Sequence, residues 1–269
     1  MKFKFALVEG VRRQAESGLK GKCIFCGAEM TAKCGQIRVH HWAHRRTLTC
    51  DRWWEPETEW HRAWKNHFPE SWQEISHLSE SGETHRADVK TDRGVVVEIQ
   101  HSFLPRDEQG AREDFYLKML WIVDGRRRKL DRKQFFAALD TGIVVNREPR
   151  IVLVLWKNGA LLREWGASRV PVYFDFGDSE PEDTVRFDTP TLWRLNPCGL
   201  HGMAYLVPVS KTEFLRVHLE GEPFEELCTE FIERAAAFRL LQQAPQSQGL
   251  PGFEQYMARR RPARARPRF

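Results

Sequence analysis

The chain has 269 residues, a formal net charge of +5, 41% hydrophobic and 29% charged residues, which fits a soluble globular protein with one substantial core and appendages. Six Cys without dense spacing exclude a disulfide scaffold and fit a reducing compartment. No stretch approaches membrane-spanning length, residues 1–9 lack the apolar run of a secretory signal, and the expected setting is the cytoplasm, with no membrane partner and a charge that permits a polyanionic one.

Residues 3–8 predict a strand, followed up to residue 20 by a polar turn or short helix. Cys23-Ile-Phe-Cys26-Gly27 comes next, then His40-His41-Trp42-Ala43-His44, then Cys50. Cys-x-x-Cys-Gly signals a zinc knuckle when a second ligand pair follows at moderate distance. His41 and His44 supply that pair, with Cys50 as the alternative to His41 and Cys34 a further competitor. A redox pair is the other reading, but no thioredoxin-like pattern surrounds it. The segment has few aliphatic residues, so Zn²⁺ is expected to supply the stability that its core lacks.

Residues 55–68 predict a helix. Glu57, His61 and Lys65 are spaced by four and four, which places them on one helical face, beside an apolar stripe of Trp60, Ala63, Trp64 and Phe68. The plain alternative is mutual support among neighbouring polar side chains. Residues 84–102 then predict two strands joined by a turn at Thr91-Asp92-Arg93-Gly94. Glu98, Gln100 and Ser102 share a face of the second strand because strand side chains alternate. Asp88, on the first strand, is placed to reach that face. A carboxylate in an apolar strand is costly unless it is paired or binds a metal, and two converging acids suit a divalent cation such as Mg²⁺. The bland alternative is a half-exposed hairpin with solvated charges.

A helix through Arg112-Glu-Asp-Phe-Tyr116 and a buried strand at Leu120-Trp-Ile-Val-Asp124 complete the order helix, hairpin, helix, strand. Arg126, Arg127 and Arg128, with Lys129, Arg132 and Lys133, form a basic cluster that suits phosphate contact or a solvated loop. A strand at 150–156 closes this region. Further strands at 170–176, 191–195 and 203–209 extend the core sheet or form a small β subdomain. Asp175 reads as a strand end running into a turn, and Cys198 and Cys228 as packing residues. Residues 223–243 predict an amphipathic helix with Pro223 in its first turn. The polar end, with six Arg among residues 259–268, predicts a disordered tail in which Arg259, Arg260 and Arg261 lead a non-specific nucleic-acid contact. The expected organisation is a zinc-knuckle region at 1–52, a core at 53–157, a β-rich extension with a C-terminal helix at 158–243, and the tail at 244–269.

In one order, Cys23-x-x-Cys26-Gly27, His41-Trp-Ala-His44, Glu57…His61…Lys65, Arg86-Ala-Asp88-Val89, Glu98-Ile-Gln100-His-Ser102 and Arg112…Tyr116…Trp121-Ile122 resemble the competence protein CoiA-like nuclease family, over roughly residues 20–125. The resemblance implies an α/β restriction-endonuclease-like core, a central mixed sheet flanked by helices, behind an N-terminal zinc-finger-like segment. Trp42 stands where that family's His-Phe-Ala-His type motif has Phe. It implies a PD-(D/E)xK-type site in which Asp88 and Glu98 hold Mg²⁺ or Mn²⁺, Gln100 replaces the lysine, and Glu57 is the acid of the first core helix. The implied reaction is phosphodiester hydrolysis in DNA, in uptake, recombination or defence against foreign DNA. The metal would polarise the phosphate and lower the pKa of an attacking water. Gln100 would orient that water or a phosphate oxygen, since an amide carries no charge. Lys65 or Lys90 would supply positive charge, and His61 would carry a proton. Two rivals remain: a DNA-binding or recombination accessory protein whose nuclease fold no longer cuts, kept open by Gln100, and a zinc-dependent protein-interaction adaptor. Intact Asp88 and Glu98 argue against both.

Overall fold

A computed structural model describes residues 2–37, 39–46, 50–53, 57–78, 82–147, 150–177, 190–197 and 202–221. All of these fall within the contact unit Met1–Phe224. The segment 223–243, the tail with Arg259, Arg260 and Arg261, and Cys198 and Cys228 lie outside the described residues.

The first strands, β1 (Phe5–Val8), β2 (Val11–Gln14), β3 (Lys20–Lys22), β4 (Glu29–Lys33) and β5 (His41–His44), form an antiparallel sheet in the order β2-β1-β3-β4-β5. Glu9 and Gly10 both take positive φ, at 51° and 80°. This pair of left-handed residues favours a tight hairpin matched to strand twist, so the residues after the turn run back as β2 instead of forming the polar turn or helix expected there. The sheet buries Phe3, Ala6, Ala15, Cys23, Met30 and Trp42. The Trp42 indole N–H donates to Arg13 O at 3.0 Å. The region therefore has a small core after all, built from aromatic and sulfur-bearing side chains where aliphatic ones are scarce.

The larger body comprises α1 (Glu59–Asn66), β6 (Gln73–Leu78), β7 (Thr84–Lys90), β8 (Val96–Gln100), α2 (Arg106–Phe115), β9 (Met119–Asp124), α3 (Asp131–Thr141), β10 (Ile143–Asn146), β11 (Ile151–Leu155), α4 (Ala160–Trp165), β12 (Val172–Asp175), β13 (Thr191–Pro197), β14 (Met203–Ser210) and α5 (Lys211–Glu220). Its nine-stranded sheet has the order β10-β11-β14-β13-β12-β9-β8-β7-β6. The sheet is mixed: β9 runs parallel to both β8 and β12, while the remaining pairs are antiparallel. The fold class is thus α/β with a large mixed sheet. The central strands are covered on both faces, which is why β8 and β9 read as nearly unbroken apolar runs. Trp64 from α1 and Phe214 from α5 join Val97, Ile99 and Ile122 in one layer. Phe135 and Leu139 from α3, with Leu161 and Trp165 from α4, join Trp121 and Phe174 in the other.

Three expectations change. β12, β13 and β14 lie between β9 and β11, so of the two readings offered for these strands they extend the core sheet, and the boundary expected at 157 falls inside that sheet. Strand adjacency of this kind is set by crossover connections, which local periodicity does not encode. α1 begins later than predicted: Thr58 caps it by accepting from the His61 N–H at 3.2 Å, which leaves Glu57 ahead of the helix. Finally, α3, α4 and α5 stand where the sequence predicts no helix, although Phe135, Ala138 and Leu139 carry a helical spacing. No helix among the described residues is long and apolar enough to cross a membrane.

α5 carries a pH-dependent element. Burial, then the charges of Arg93 and Arg194, push buried His218 down from 6.5 to about 4. Because the folded pKa is the lower one, the unfolded chain takes up the proton first as pH falls. His218 therefore costs no stability above its unfolded pKa and lowers it progressively between pH 6.5 and 4. The expected loss is about 3 kcal/mol by pH 4. Urea unfolding over this range should show a shallower acid slope for His218→Gln than for the wild type. Identical slopes would show that His218 does not carry the effect.

Candidate active site and metal centre

β7 and β8 pair only at Val89↔Val97 and Lys90↔Val96. Where their ladder stops, two carboxylates take up backbone donors that strand pairing would otherwise satisfy. The Ile99 N–H donates to Asp88 Oδ2 at 3.0 Å, and the Asp88 N–H donates to Glu98 Oε1 at 3.2 Å. Both acids thus converge on one fork in the sheet. Glu98 is 4% and Gln100 2% exposed, which removes the half-exposed hairpin with solvated charges from consideration. The Asp88 side chain keeps 16% of its surface, so the fork opens to solvent at Asp88.

Cations surround these acids. His61 Nε2 lies 2.9 Å and Lys65 Nζ 4.0 Å from Asp88 Oδ1. Lys65 also reaches Glu57 Oε1 at 2.5 Å and Glu74 Oε1 at 3.0 Å. Arg62 pairs with Glu57 as well. Although Glu57 precedes the helix, it reaches the same cluster, pairing with Lys65 and Arg62. From α2, Arg112 donates to Glu98 Oε2 at 3.1 Å, and its other nitrogen reaches Trp53 O at 2.7 Å. Glu74 is a member that sequence reasoning missed. Its carboxylate accepts the Lys4 N–H at 2.9 Å and the Phe5 N–H at 3.3 Å, and it lies 3.9 Å from Arg86. It ties β1 to the Lys65 cluster. No local motif announces it; the structural sign is its φ of 49°, which is uncommon for a residue other than Gly.

The electrostatics separate the two acids. Burial opposes ionisation of Asp88, but His61, Lys65 and the Ile99 N–H together outweigh it and hold the carboxyl well below the ordinary range. Burial, reinforced by the Asp88 charge, pushes Glu98 up to about 8 against the pull of Arg112. Burial also opposes the charge on Glu74, yet Lys65, Arg86 and the Lys4 N–H bring it down to about 2. Burial first and the Asp88 charge second keep Glu98 from ionising, and a cation at the fork would relieve both. Mg²⁺ characteristically takes one or two carboxylates and completes its shell with water and phosphate oxygens, so Asp88 and Glu98 fit it.

The other predicted residues separate clearly. The Gln100 amide donates to Ser102 O and Oγ, both at 3.2 Å. Lys90 Nζ lies 2.9 Å from His77 Nδ1, so Lys65 is the lysine beside Asp88. In the basic cluster, Arg127 turns inward, donating to Ser102 O at 2.8 Å and pairing with Asp131 and Glu164. Arg128 lies 2.9 Å from Asp131 and 2.5 Å from Glu164. These two arginines pair with acids on α3 and α4. Arg126 is half-exposed beside Asp124.

In the N-terminal sheet, ligand atoms of Cys23, Cys26, His44 and Cys50 lie within 4.8 Å of one another. Cys26 Sγ is 3.3 Å from His44 Nε2. A Cys₃His donor set of this compactness is compatible with a structural zinc site. The Cys50 hydrogen bond, then the Cys26 and Phe25 N–H groups, hold the Cys23 thiol down at about 4, and the same pairing pushes Cys50 up. His41 does not take part: its Nδ1 lies 2.8 Å from Val39 O. His41 and His44 are three apart on β5, and an odd separation sends side chains to opposite faces. The alternative ligand, Cys50, takes the place expected for His41. Cys34 Sγ donates instead to Ala15 O at 3.4 Å.

No protein-family model, curated protein or solved structure matches the chain.

Proposed function

We propose that the chain is a metal-dependent nuclease that hydrolyses phosphodiester bonds in DNA, with a restriction-endonuclease-like core of the CoiA-like type. The observation that carries this reading is the convergence of Asp88 and Glu98 in the fork between β7 and β8. The order α1, three antiparallel strands β6 to β8, α2, then β9 parallel to β8 supports it.

A divalent cation, Mg²⁺ or Mn²⁺, held by Asp88 and Glu98 would polarise the scissile phosphate and supply hydroxide at neutral pH. Lys65, 4.0 Å from Asp88, provides the positive charge that Gln100 lacks. Glu57 and Glu74 fix the Lys65 ammonium in place. His61, against Asp88, is the group whose ordinary pKa suits proton transfer. Arg112 orients Glu98. Gln100 stands two residues along β8 from Glu98, where its amide can orient water or phosphate. Cys23, Cys26, His44 and Cys50 hold the structural Zn²⁺. A role in uptake, recombination or defence against foreign DNA suits this activity.

The test is incubation with linear, circular and single-stranded DNA in Mg²⁺, Mn²⁺ or EDTA. Cleavage confined to the divalent ions is expected. A second reading, a DNA-binding accessory protein that does not cut, is favoured by the cations already compensating Asp88 and Glu98. Binding without cleavage in every metal would decide for it.

Deleting residues 245–269 should weaken DNA binding without changing turnover at saturating DNA. Each phosphate neutralised contributes about 0.9 to the slope of log affinity against log salt, so half of the six arginines engaged predicts a slope smaller by roughly 2–3. Equal slopes for the full and shortened chains would assign the tail another role.

A further inference from the structure

Among the described residues, the Tyr116 hydroxyl is buried without a hydrogen-bond partner. The residue is 1% exposed. Trp53, His77 and Phe115 surround its ring at centroid distances of 5.9, 5.4 and 4.8 Å, so packing holds the side chain in place. A phenylalanine would fill the same aromatic cage. The hydroxyl is thus the part that needs a reason, since a buried donor left unpaired costs about 1–3 kcal/mol and such groups are rare in folded proteins.

Its position supplies the reason. The Tyr116 N–H bonds Arg112 O at 2.9 Å, so Tyr116 caps the C-terminus of α2 one turn beyond Arg112. Arg112 itself donates to Glu98 Oε2 at 3.1 Å. Tyr116 packs in one layer with Val96 and Trp121; Val96 and Glu98 share a face of β8 and Trp121 stands opposite Glu98 in the ladder, so Tyr116 covers the sheet face from which Glu98 projects. That carboxylate has about four lone-pair sites. The Asp88 N–H uses one on Oε1 and Arg112 one on Oε2. A bound cation would take a third.

We propose that Tyr116 is a positioning residue whose hydroxyl donates to the Glu98 carboxylate when Glu98 ligates a divalent cation, fixing that ligand from behind. This rests on the nuclease reading of the Asp88 and Glu98 fork. Outer-shell donors that orient a ligating carboxylate typically contribute 10- to 100-fold in metal affinity.

The experiment compares Mn²⁺ binding to full-length, zinc-loaded wild type and Tyr116→Phe without DNA, by calorimetry and by the loss of the free-ion electron paramagnetic resonance signal. Mn²⁺ should bind the variant roughly 10- to 100-fold more weakly, while its unfolding midpoint without Mn²⁺ is unchanged or higher. Cleavage by the variant should return towards the wild-type rate once Mn²⁺ is raised to saturation. Equal Mn²⁺ affinity in the two proteins overturns the role of Tyr116 and leaves the nuclease reading standing. A lowered midpoint with unchanged affinity does the same and assigns the hydroxyl to folding. Wild type that binds no Mn²⁺ overturns both.

Discussion

Glu98→Gln is expected to remove metal-dependent cleavage while leaving the fold as stable as the wild type or slightly more so. Burial, then the Asp88 charge, pushes the Glu98 carboxyl up from an ordinary 4.5 to about 8. At neutral pH the unfolded chain therefore carries an ionised Glu98 while the folded chain keeps the proton. Folding takes up a proton, and this group opposes stability increasingly as pH rises between those two values. Glutamine has the shape of the protonated acid and escapes that cost. It does not offer a charged ligand, and losing the metal's stabilisation of transition-state charge, several kcal/mol, corresponds to a fall of about a thousandfold or more.

Asp88→Ala should lose cleavage to the same extent, but with a stability cost. Asp88 is the acid held ionised, and its removal leaves buried His61 and Lys65 short of a counter-charge. Breaking a buried pair from one side costs about 3–5 kcal/mol. Cleavage assays beside urea unfolding would separate the two substitutions. Metal-dependent cutting that survives both would sink the proposed site.

The second large effect concerns zinc. One Zn²⁺ per chain is expected to copurify, and Cys23→Ser/Cys26→Ser should lose it, as should Cys50→Ser in large part. His41→Ala should keep it, because His41 faces away from the cluster. Structural zinc binding is worth about 10 kcal/mol or more in small domains, which exceeds what a core of Phe3, Ala6, Ala15, Cys23, Met30 and Trp42 adds beyond the entropy of ordering five short strands. Hydrogen exchange should show residues 1–46 losing protection while the nine-stranded sheet retains it. Elemental analysis finding no zinc, or zinc surviving the double substitution, would refute the assignment. The Lys4 and Phe5 N–H groups that bind Glu74 would be released with the sheet, so Lys65 would lose part of its support.

Local patterning in the chain was enough to foresee part of the site. Alternation along Val96–Gln100 placed Glu98 and Gln100 on one face, and the turn at 91–94 placed Asp88 opposite them. The four-residue spacing placed His61 and Lys65 on one face of α1, and Cys23 with Cys26 announced the cysteine and histidine cluster. The parity of His41 and His44 on one strand was also present in the sequence and, applied there, would have chosen Cys50. Tertiary structure alone decided the rest. It set β12 beside β9, brought Glu74 under Lys65 from an edge strand, and turned Arg127 and Arg128 towards Asp131 and Glu164. Periodicity records which face a side chain takes within its own element. A buried charge is instead held by partners far along the chain, because its desolvation must be offset wherever the fold brings an opposite charge.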